Sequence, residues 1–530
     1  MLMDFPTLDR AIPSHSASAQ RFRDLQMQLR NRWQSLDLFD TGDYDLVVIP
    51  SLTLDSHELR KVSGVWHYEE RFLFLLLRLR NPRTRIVYIT SQPIHPSIID
   101  YYLQLLPGIP FSHARSRLLL FATYDSSTLS LTQKILDRPR LIERIRRAVR
   151  PEHSYATCFN ATNLERELSV QLGIPLLATD PDLLYFGTKS GSREIFAECH
   201  VPHPDGSPLV HKIDALAEAT RRLKHRNPQL ERCVVKLNEG FSGEGNALLD
   251  LRQLGDNPSI ADIHRRFHTM RFQAKEETWT TFKQRIPELG AIVESFIAGE
   301  VKRSPSVQGC IAPSGKVEIL STHDQILGGP DGQIFLGCEF PAHASYRLQL
   351  QEYGQKIGER LAKYGALERY GVDFVAVKRE EIGEECWEVQ AIEINLRKGG
   401  TTHPFMTLKL LTKGQYDTSD GLFYSCQGQA KYYKATDNLI ADRYRGLLPN
   451  DLMNTIAFNQ LHFDTSTATG TVFHLMGSLS EFGKLGLTSI GNSPEEAEAL
   501  YQQVVASLDQ ETSDDVAARL AMPFSWPSMF

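Results

Sequence analysis

At 530 residues the chain exceeds what one hydrophobic core supports, so two to four domains are expected. With 42% hydrophobic and 23% charged residues it has the make-up of a soluble globular protein, and a formal net charge of −6 argues against a protein that grips nucleic acid. Seven scattered cysteines, odd in number and without a CxxC pair, point to reduced thiols and away from a disulfide framework or a zinc site.

The first third alternates short apolar runs with helical stretches. Asp45–Pro50, Arg85–Thr90 and Leu118–Thr123 read as buried strands, and Tyr68–Leu79, Pro96–Leu106 and Leu141–Val149 as helices. A further unit follows, with strand Ala156–Asn160, helix Thr162–Leu172 and strand Ile174–Ala178. This alternation favours a parallel α/β sheet. In Arg138–Arg150 the residues Leu141, Ile145 and Val149 share one helical face, so the arginines read as a solvated face. Residues 181–208 are rich in Gly, Pro and Ser and precede a helix near 211–224. Strands then dominate from 301 to 400 (Gly309–Ala312, Val317–Ser321, Gly371–Val377, Trp387–Leu396), with a helix near 346–363. Near the end come a strand at Gly470–Met476 and a helix at Pro494–Leu508, where Ser493 caps and Glu496 completes a capping box. The start of the chain lacks a basic region followed by an apolar one, and the longest apolar run, Phe72–Leu77, is too short to cross a bilayer. The expectation is a cytoplasmic protein with no membrane partner.

The run Gln390–Arg397 is the most informative. At the two-residue period of a strand, Ile392, Ile394 and Leu396 face one way, and Glu393, Asn395 and Arg397 the other. An anion, an amide and a cation on one face are costly to bury without a ligand. The carboxylate and amide oxygens suit Mg²⁺, and the guanidinium suits a phosphate. Asp373, within the apolar strand Gly371–Val377, is an ordinary turn aspartate taken singly, but with Glu393 and Asn395 it completes an oxygen set for one or two Mg²⁺ ions. Upstream, Val234–Asn246 sets Lys236 in a strand before a loop with three glycines, Gly240, Gly243 and Gly245. Such a loop can aim backbone N–H groups at phosphate, although a tight hairpin with a snorkelling lysine explains the pattern equally well. Lys189 precedes a helix whose free N–H groups could help meet an anion, though alone it reads as a surface residue. Ala291–Glu300 is an apolar strand ending at a Gly-Glu turn. It is either an interdomain connector or a hinge whose backbone pairs with adenine while an acid holds ribose.

Together these residues resemble the ATP-grasp superfamily of ADP-forming ligases over most of 180–510. Within it, Lys189–Arg193, Asn238–Asn246, Asn395–Pro404 and Gly470–Gly491 are most similar to the pheganomycin-type peptide ligases. The resemblance implies an α/β fold. A Rossmann-like pre-ATP-grasp domain (1–180) would precede a two-lobed α+β ATP-grasp core. Its small lobe (181–300) would carry the phosphate loop and adenine hinge. The large lobe (301–530) would carry the metal strands and a C-terminal extension. It further implies ATP held by Lys189, Lys236, Ser242, Gly243, Gly245, Glu294, Phe296 and Glu300. Mg²⁺ or Mn²⁺ would sit on Asp373, Glu393 and Asn395, and Arg397 and Arg303 would stabilise an acyl phosphate and the oxyanion formed when an amine attacks it. His403 is a candidate base, or simply a turn histidine before Pro404. After the metal strand, Arg397–Pro404 departs from the D-alanine ligases and looks more like the carboxylase branch, but no biotinyl or lipoyl carrier segment is recognisable. The partners implied are small carboxylates and amines, amino acids or peptides, and the homodimer common among such ligases. Two other readings of the same residues are an ATP-grasp kinase and a non-catalytic ATP-binding regulator.

Overall fold

The computed structural model describes residues 17–36, 42–54, 59, 62–239, 245–255, 257–274, 277–328, 334–381 and 384–513. They form two compact units, each assembled from separated stretches. The terminal unit comprises Gln34–Thr157, Thr402–Asp417 and residues from Leu422 onward; the central unit comprises residues up to Trp33, Cys158–Thr401 and Thr418–Gly421.

In the terminal unit, strands β1 (Asp45–Ile49), β2 (Arg85–Thr90), β3 (Leu118–Ala122) and β4 (Ser154–Cys158) line up in the order β3-β2-β1-β4. The β1–β2 and β2–β3 pairs are parallel, as the alternating pattern predicts. Every residue of β1 is buried, which explains its unbroken apolar run. The helix expected over Tyr68–Leu79 spans Val65–Arg80, is wound as a 3₁₀ helix and is buried continuously from Glu69 to Leu79. On the helix Pro139–Ala148, Leu141, Ile142 and Ile145 are buried, while exposed Arg146 and Arg147 pair with Glu143.

The central unit begins its strands with the short β5 (Leu176–Leu177). Strands β6 (Arg232–Leu237), β7 (Asn246–Asp250), β8 (Arg271–Phe272) and β9 (Ala291–Ser295) then form an antiparallel sheet in the order β8-β7-β6-β9. Its core gathers Val235, Leu237, Leu249 and Val293 with Phe267, Trp279 and Phe282 from the covering helices. A larger antiparallel sheet takes β10 (Lys302–Arg303), β11 (Pro305–Ile311), β12 (Val317–Gly328), β13 (Ile334–Phe340), β14 (Glu368–Glu381) and β15 (Glu384–Asn395). Its order is β10-β14-β11-β12-β13, with β15 also on β14. The helix Arg347–Lys363 lies against one face. A Cβ on its Gly354 would sit 2.8 Å from Val307, and one on Gly358 2.1 Å from the Tyr370 hydroxyl. Tyr353 of this helix stacks on Phe374 of β14.

The regular alternation expected for β15 fails at one residue. Phe374 pairs with Ala391 but Asp373 pairs with Glu393, so Ile392 is an extra residue in a β-bulge. The buried apolar set therefore changes parity, from Trp387, Val389 and Ala391 before the bulge to Ile394 and Leu396 after it. Ile392, expected in the core, is only partly buried. The bulge turns Glu393 and Asn395 to the face opposite the helix Arg347–Lys363.

Back in the terminal unit, β16 (Gln415–Asp417), β17 (Leu422–Tyr424), β18 (Ala430–Ile440), β19 (Gly470–His474) and β20 (Lys484–Gly491) follow, with β20 paired antiparallel to both β18 and β19. The last described helix, Pro494–Glu511, is capped by Ser493 as expected, but the Glu496 carboxylate reaches one residue further back, to the Asn492 N–H. No disulfide joins any of the seven cysteines. Among the described residues, no helix is long and apolar enough to cross a membrane.

Candidate active site

The helix Lys189–Glu198 organises the site from its first turn. Thr188 caps it, accepting from the Gly191 N–H. Asn238, just after β6, accepts from the Lys189 N–H through its carbonyl (3.1 Å) and from the Ser190 N–H through its side chain (2.9 Å). These first N–H groups are therefore taken within the protein, and an anion here would meet the lysine side chain instead. Gly191 is required by space, since a Cβ would lie 2.0 Å from the Tyr185 carbonyl oxygen. The Ser192 hydroxyl accepts from the Ile394 N–H at 2.9 Å, fastening the helix to β15.

Lys189 and Arg193, four residues apart, share a helical face, and each pairs with a different carboxylate, Glu393 and Glu294. Lys189 Nζ donates to Glu393 Oε1 at 2.8 Å. Glu393 lies opposite Asp373 in the β14–β15 register. Asp373 accepts from Gln325 Nε2 at 2.7 Å and from Asn395 Nδ2 at 2.8 Å. Burial first, and the neighbouring Glu393 charge second, push the Asp373 carboxyl up to about 6, against the opposing pull of Gln325, Arg397 and Asn395. Two facing carboxylates and an amide oxygen form an all-oxygen donor set, and a divalent cation would relieve the repulsion that raises Asp373. The residues present fit Mg²⁺.

Around the second carboxylate, Lys236 Nζ lies 2.5 Å from Glu294 Oε2 and Arg193 Nη1 3.0 Å from Oε1. Burial raises the Glu294 carboxyl, but the two cations together outweigh it and hold it below its ordinary value. Glu294 therefore sits inside β9 as the anion between two cations, while the acid at the turn, Glu300, is exposed. The Phe296 N–H donates to the Arg232 carbonyl, and its ring lies 4.2 Å from the Arg232 guanidinium and 4.4 Å from Lys302 Nζ. Gly245 is buried, and its carbonyl accepts from the Leu237 N–H; Ser242 and Gly243 lie outside the described residues.

The two arginines are separated by the sheet. Arg303 pairs with Asp324 at 3.4 Å and lies 5.7 Å from the Trp387 ring. Trp387 also meets Tyr346 at the start of the helix Arg347–Lys363. Arg303 thus stands on the helix-covered face, opposite Asp373 and Glu393. Arg397 lies two residues beyond the end of β15, 5.8 Å from the Phe159 ring, and its charge acts on Asp373. His403 is not in a turn: it belongs to the helix Thr402–Thr412 of the terminal unit. Arg193, Gln325 and Asn238 have roles that the sequence reading did not assign. Arg193 carries the clearest signal, four residues after Lys189.

A family model described as "IQCH-like, ATP-grasp" matches residues 183–277 and 258–419, and one described as "PGM1 C-terminal domain" matches 451–504. The L-propargylglycine–L-glutamate ligase of Streptantibioticus cattleyicolor is 31% identical over 492 residues, covering 90% of this chain and 96% of that protein. The chain belongs to the pheganomycin-type ATP-grasp ligases. It is an ATP-dependent enzyme of carboxylate–amine ligation. The IQ motif-containing protein H of Danio rerio is 21% identical over 451 residues, 75% of this ligase and 42% of that protein. Among solved structures, the biotin carboxylase domain of the Hydrogenobacter thermophilus 2-oxoglutarate carboxylase, in complex with MgADP, ADP and bicarbonate, aligns with a TM-score of 0.53 at 12% identity. That alignment covers 89% of the ligase and 95% of the domain. Biotin carboxylase of Campylobacter jejuni aligns at 0.51 with 11% identity, over 90% and 96% of the two chains. At these identities the likeness is one of fold.

Proposed function

We propose that this ligase joins the carboxylate of one amino acid or short peptide to the amine of another, with ADP formed and an acyl phosphate between the two steps. The observation that carries the reading is the convergence of Lys189, Asp373, Glu393 and Asn395 on one sheet face. On this reading residues 1–180 are the pre-ATP-grasp domain, 181–300 the small lobe, and 301–530 the large lobe with its extension.

Lys189 and Lys236 hold the phosphates of ATP, and each is already aimed by a carboxylate partner. Gly245, with Ser242 and Gly243 beyond the described residues, is assigned to phosphate contact, and the reaction requires that water be kept from an intermediate that hydrolyses. The strand end at Glu294, Phe296 and Glu300 receives the adenosine. Asp373, Glu393 and Asn395 hold Mg²⁺, which when bound neutralises charge on the transferred phosphoryl group. Arg397, on the same side as the carboxylates, stabilises the oxyanion created by amine attack. The enzyme works in the cytoplasm on small molecules, as a homodimer that light scattering would reveal.

The test is phosphate release from Mg·ATP with amino acids and short peptides offered singly and in pairs. Release that needs two partners, with a product of their condensed mass, supports the ligase. Phosphorylation of a hydroxyl without condensation would favour the kinase reading instead. Glu393→Gln should abolish turnover and leave the circular dichroism spectrum unchanged; full activity in that variant would sink the metal assignment.

A further inference from the structure

The terminal unit contains a second constellation that the ligase reaction does not use. His403 comes from the helix Thr402–Thr412, Asp437 from β18, and His474 is the last residue of β19. All three are buried. His474 Nε2 lies 2.6 Å from Asp437 Oδ1 and His403 Nε2 lies 3.1 Å from the same oxygen. The three donor atoms fall within 4.8 Å of one another, and the two rings meet edge to face at 4.3 Å. We infer that His403, Asp437 and His474 bind a divalent transition-metal ion.

Three observations support a ligand here beyond a hydrogen-bonded triad. First, His403 Nε2 is buried and makes no hydrogen bond of acceptable geometry, although Asp437 Oδ1 is close. A buried ring nitrogen thus lies beside a carboxylate oxygen without being satisfied by it. Second, the other Asp437 oxygen, Oδ2, faces Arg71 at 3.4 Å, an outer partner that orients the carboxylate and leaves Oδ1 for the ion. Third, His474 pairs across the sheet with Gly486, where a Cβ would fall 2.2 Å from Nε2, so only glycine leaves room at the donor atom. Two imidazole nitrogens and one carboxylate oxygen are a borderline-soft set suited to Zn²⁺ or Co²⁺, unlike the all-oxygen set at Asp373. Three protein ligands also leave a coordination position for water or a small anion.

The probe is Co²⁺, titrated into metal-stripped full-length protein and followed by bound metal and visible d–d absorption. Co²⁺ bound at this cluster should give intense bands that persist in Glu393→Gln, where the separate all-oxygen set is disabled. His403→Gln and His474→Gln should each weaken binding by at least tenfold, on the order of the losses seen when metal sites are disturbed. Should either fail to fold, Asp437→Asn carries the same comparison. A readout without variants is the C2-hydrogen exchange of the two imidazoles, which Co²⁺ should slow. Absent bands, binding unchanged in the histidine variants, or unchanged imidazole exchange would reduce the cluster to a hydrogen-bonded triad and overturn the inference.

Discussion

Replacing Glu294 with glutamine removes one negative charge from between buried Lys236 and partly buried Arg193. The Glu294, Lys236 and Arg193 side chains are 3%, 10% and 14% exposed, so little solvent reaches the charges left behind. Breaking a buried pair by removing one partner costs about 3–5 kcal/mol. The lower end applies here, because glutamine keeps an acceptor and Arg193 retains its bond to the Pro204 carbonyl. About 3 kcal/mol corresponds to roughly a hundredfold change in a local opening constant. The assay is amide hydrogen exchange of peptides covering β6 and β9, in nucleotide-free buffer. Lys236→Met and the double variant complete a cycle, and the two effects should fall short of additive by more than about 1 kcal/mol. Because the Glu294 carboxyl is held below its ordinary 4.5, its contribution is present above pH 4.5 and is lost as pH falls through the depressed value. Protection in Glu294→Gln within about threefold of wild type would refute the claim that this carboxylate clamps the two strands.

Gly191→Ala puts a Cβ 2.0 Å from the Tyr185 carbonyl, so the helix must shift. A misplacement of Lys189 on that scale should lower kcat/KM by about a hundredfold, with a smaller change in the unfolding midpoint. Arg303→Ala, on the helix-covered face, should keep turnover within about tenfold of wild type, whereas Arg397→Ala should lose about a hundredfold or more in steady-state kinetics. Burial pushes the Glu69 carboxyl up to about 7 despite hydrogen bonds from the Ser91 N–H and hydroxyl. Its folded value lies above its unfolded one, so this group's contribution is full below pH 4.5 and lost as pH rises through 7. Glu69→Gln should flatten the fall in unfolding midpoint between those limits; an unchanged slope would show that another group sets it.

Much of the fold could be read from periodicity. The strand Arg85–Thr90 is found at the expected bounds, and the helix expected near 346–363 appears as Arg347–Lys363. The strands expected as Gly371–Val377 and Trp387–Leu396 are cores of a longer hairpin, Glu368–Glu381 with Glu384–Asn395. Their outer parts are polar, and ladder hydrogen bonds rather than apolar pattern hold them. Of the candidate site, the pairing of Asp373 with Glu393 was implied by two strand motifs. The Gln325 contact was not, because β12 meets Asp373 through tertiary pairing that leaves no local signal. The bulge at Ile392 was also hidden, since Ile392-Glu393-Ile394-Asn395 alternates whether or not an extra residue interrupts the ladder. The buried histidine cluster joins residues from three elements far apart in the chain, and spacing says nothing about it.

Ile392 works as a phase shifter. The stretch Trp387–Ala391 keeps time with the helix Arg347–Lys363, and Glu393 onward keeps time with the carboxylate face. The two halves can diverge independently by substitution, since neither constrains the side chains of the other. Length is another matter. Losing the extra residue would restore an unbroken ladder, turn Trp387 out of its packing or swing Glu393 beneath the helix, and leave a strand of better regularity without the facing pair Asp373 and Glu393.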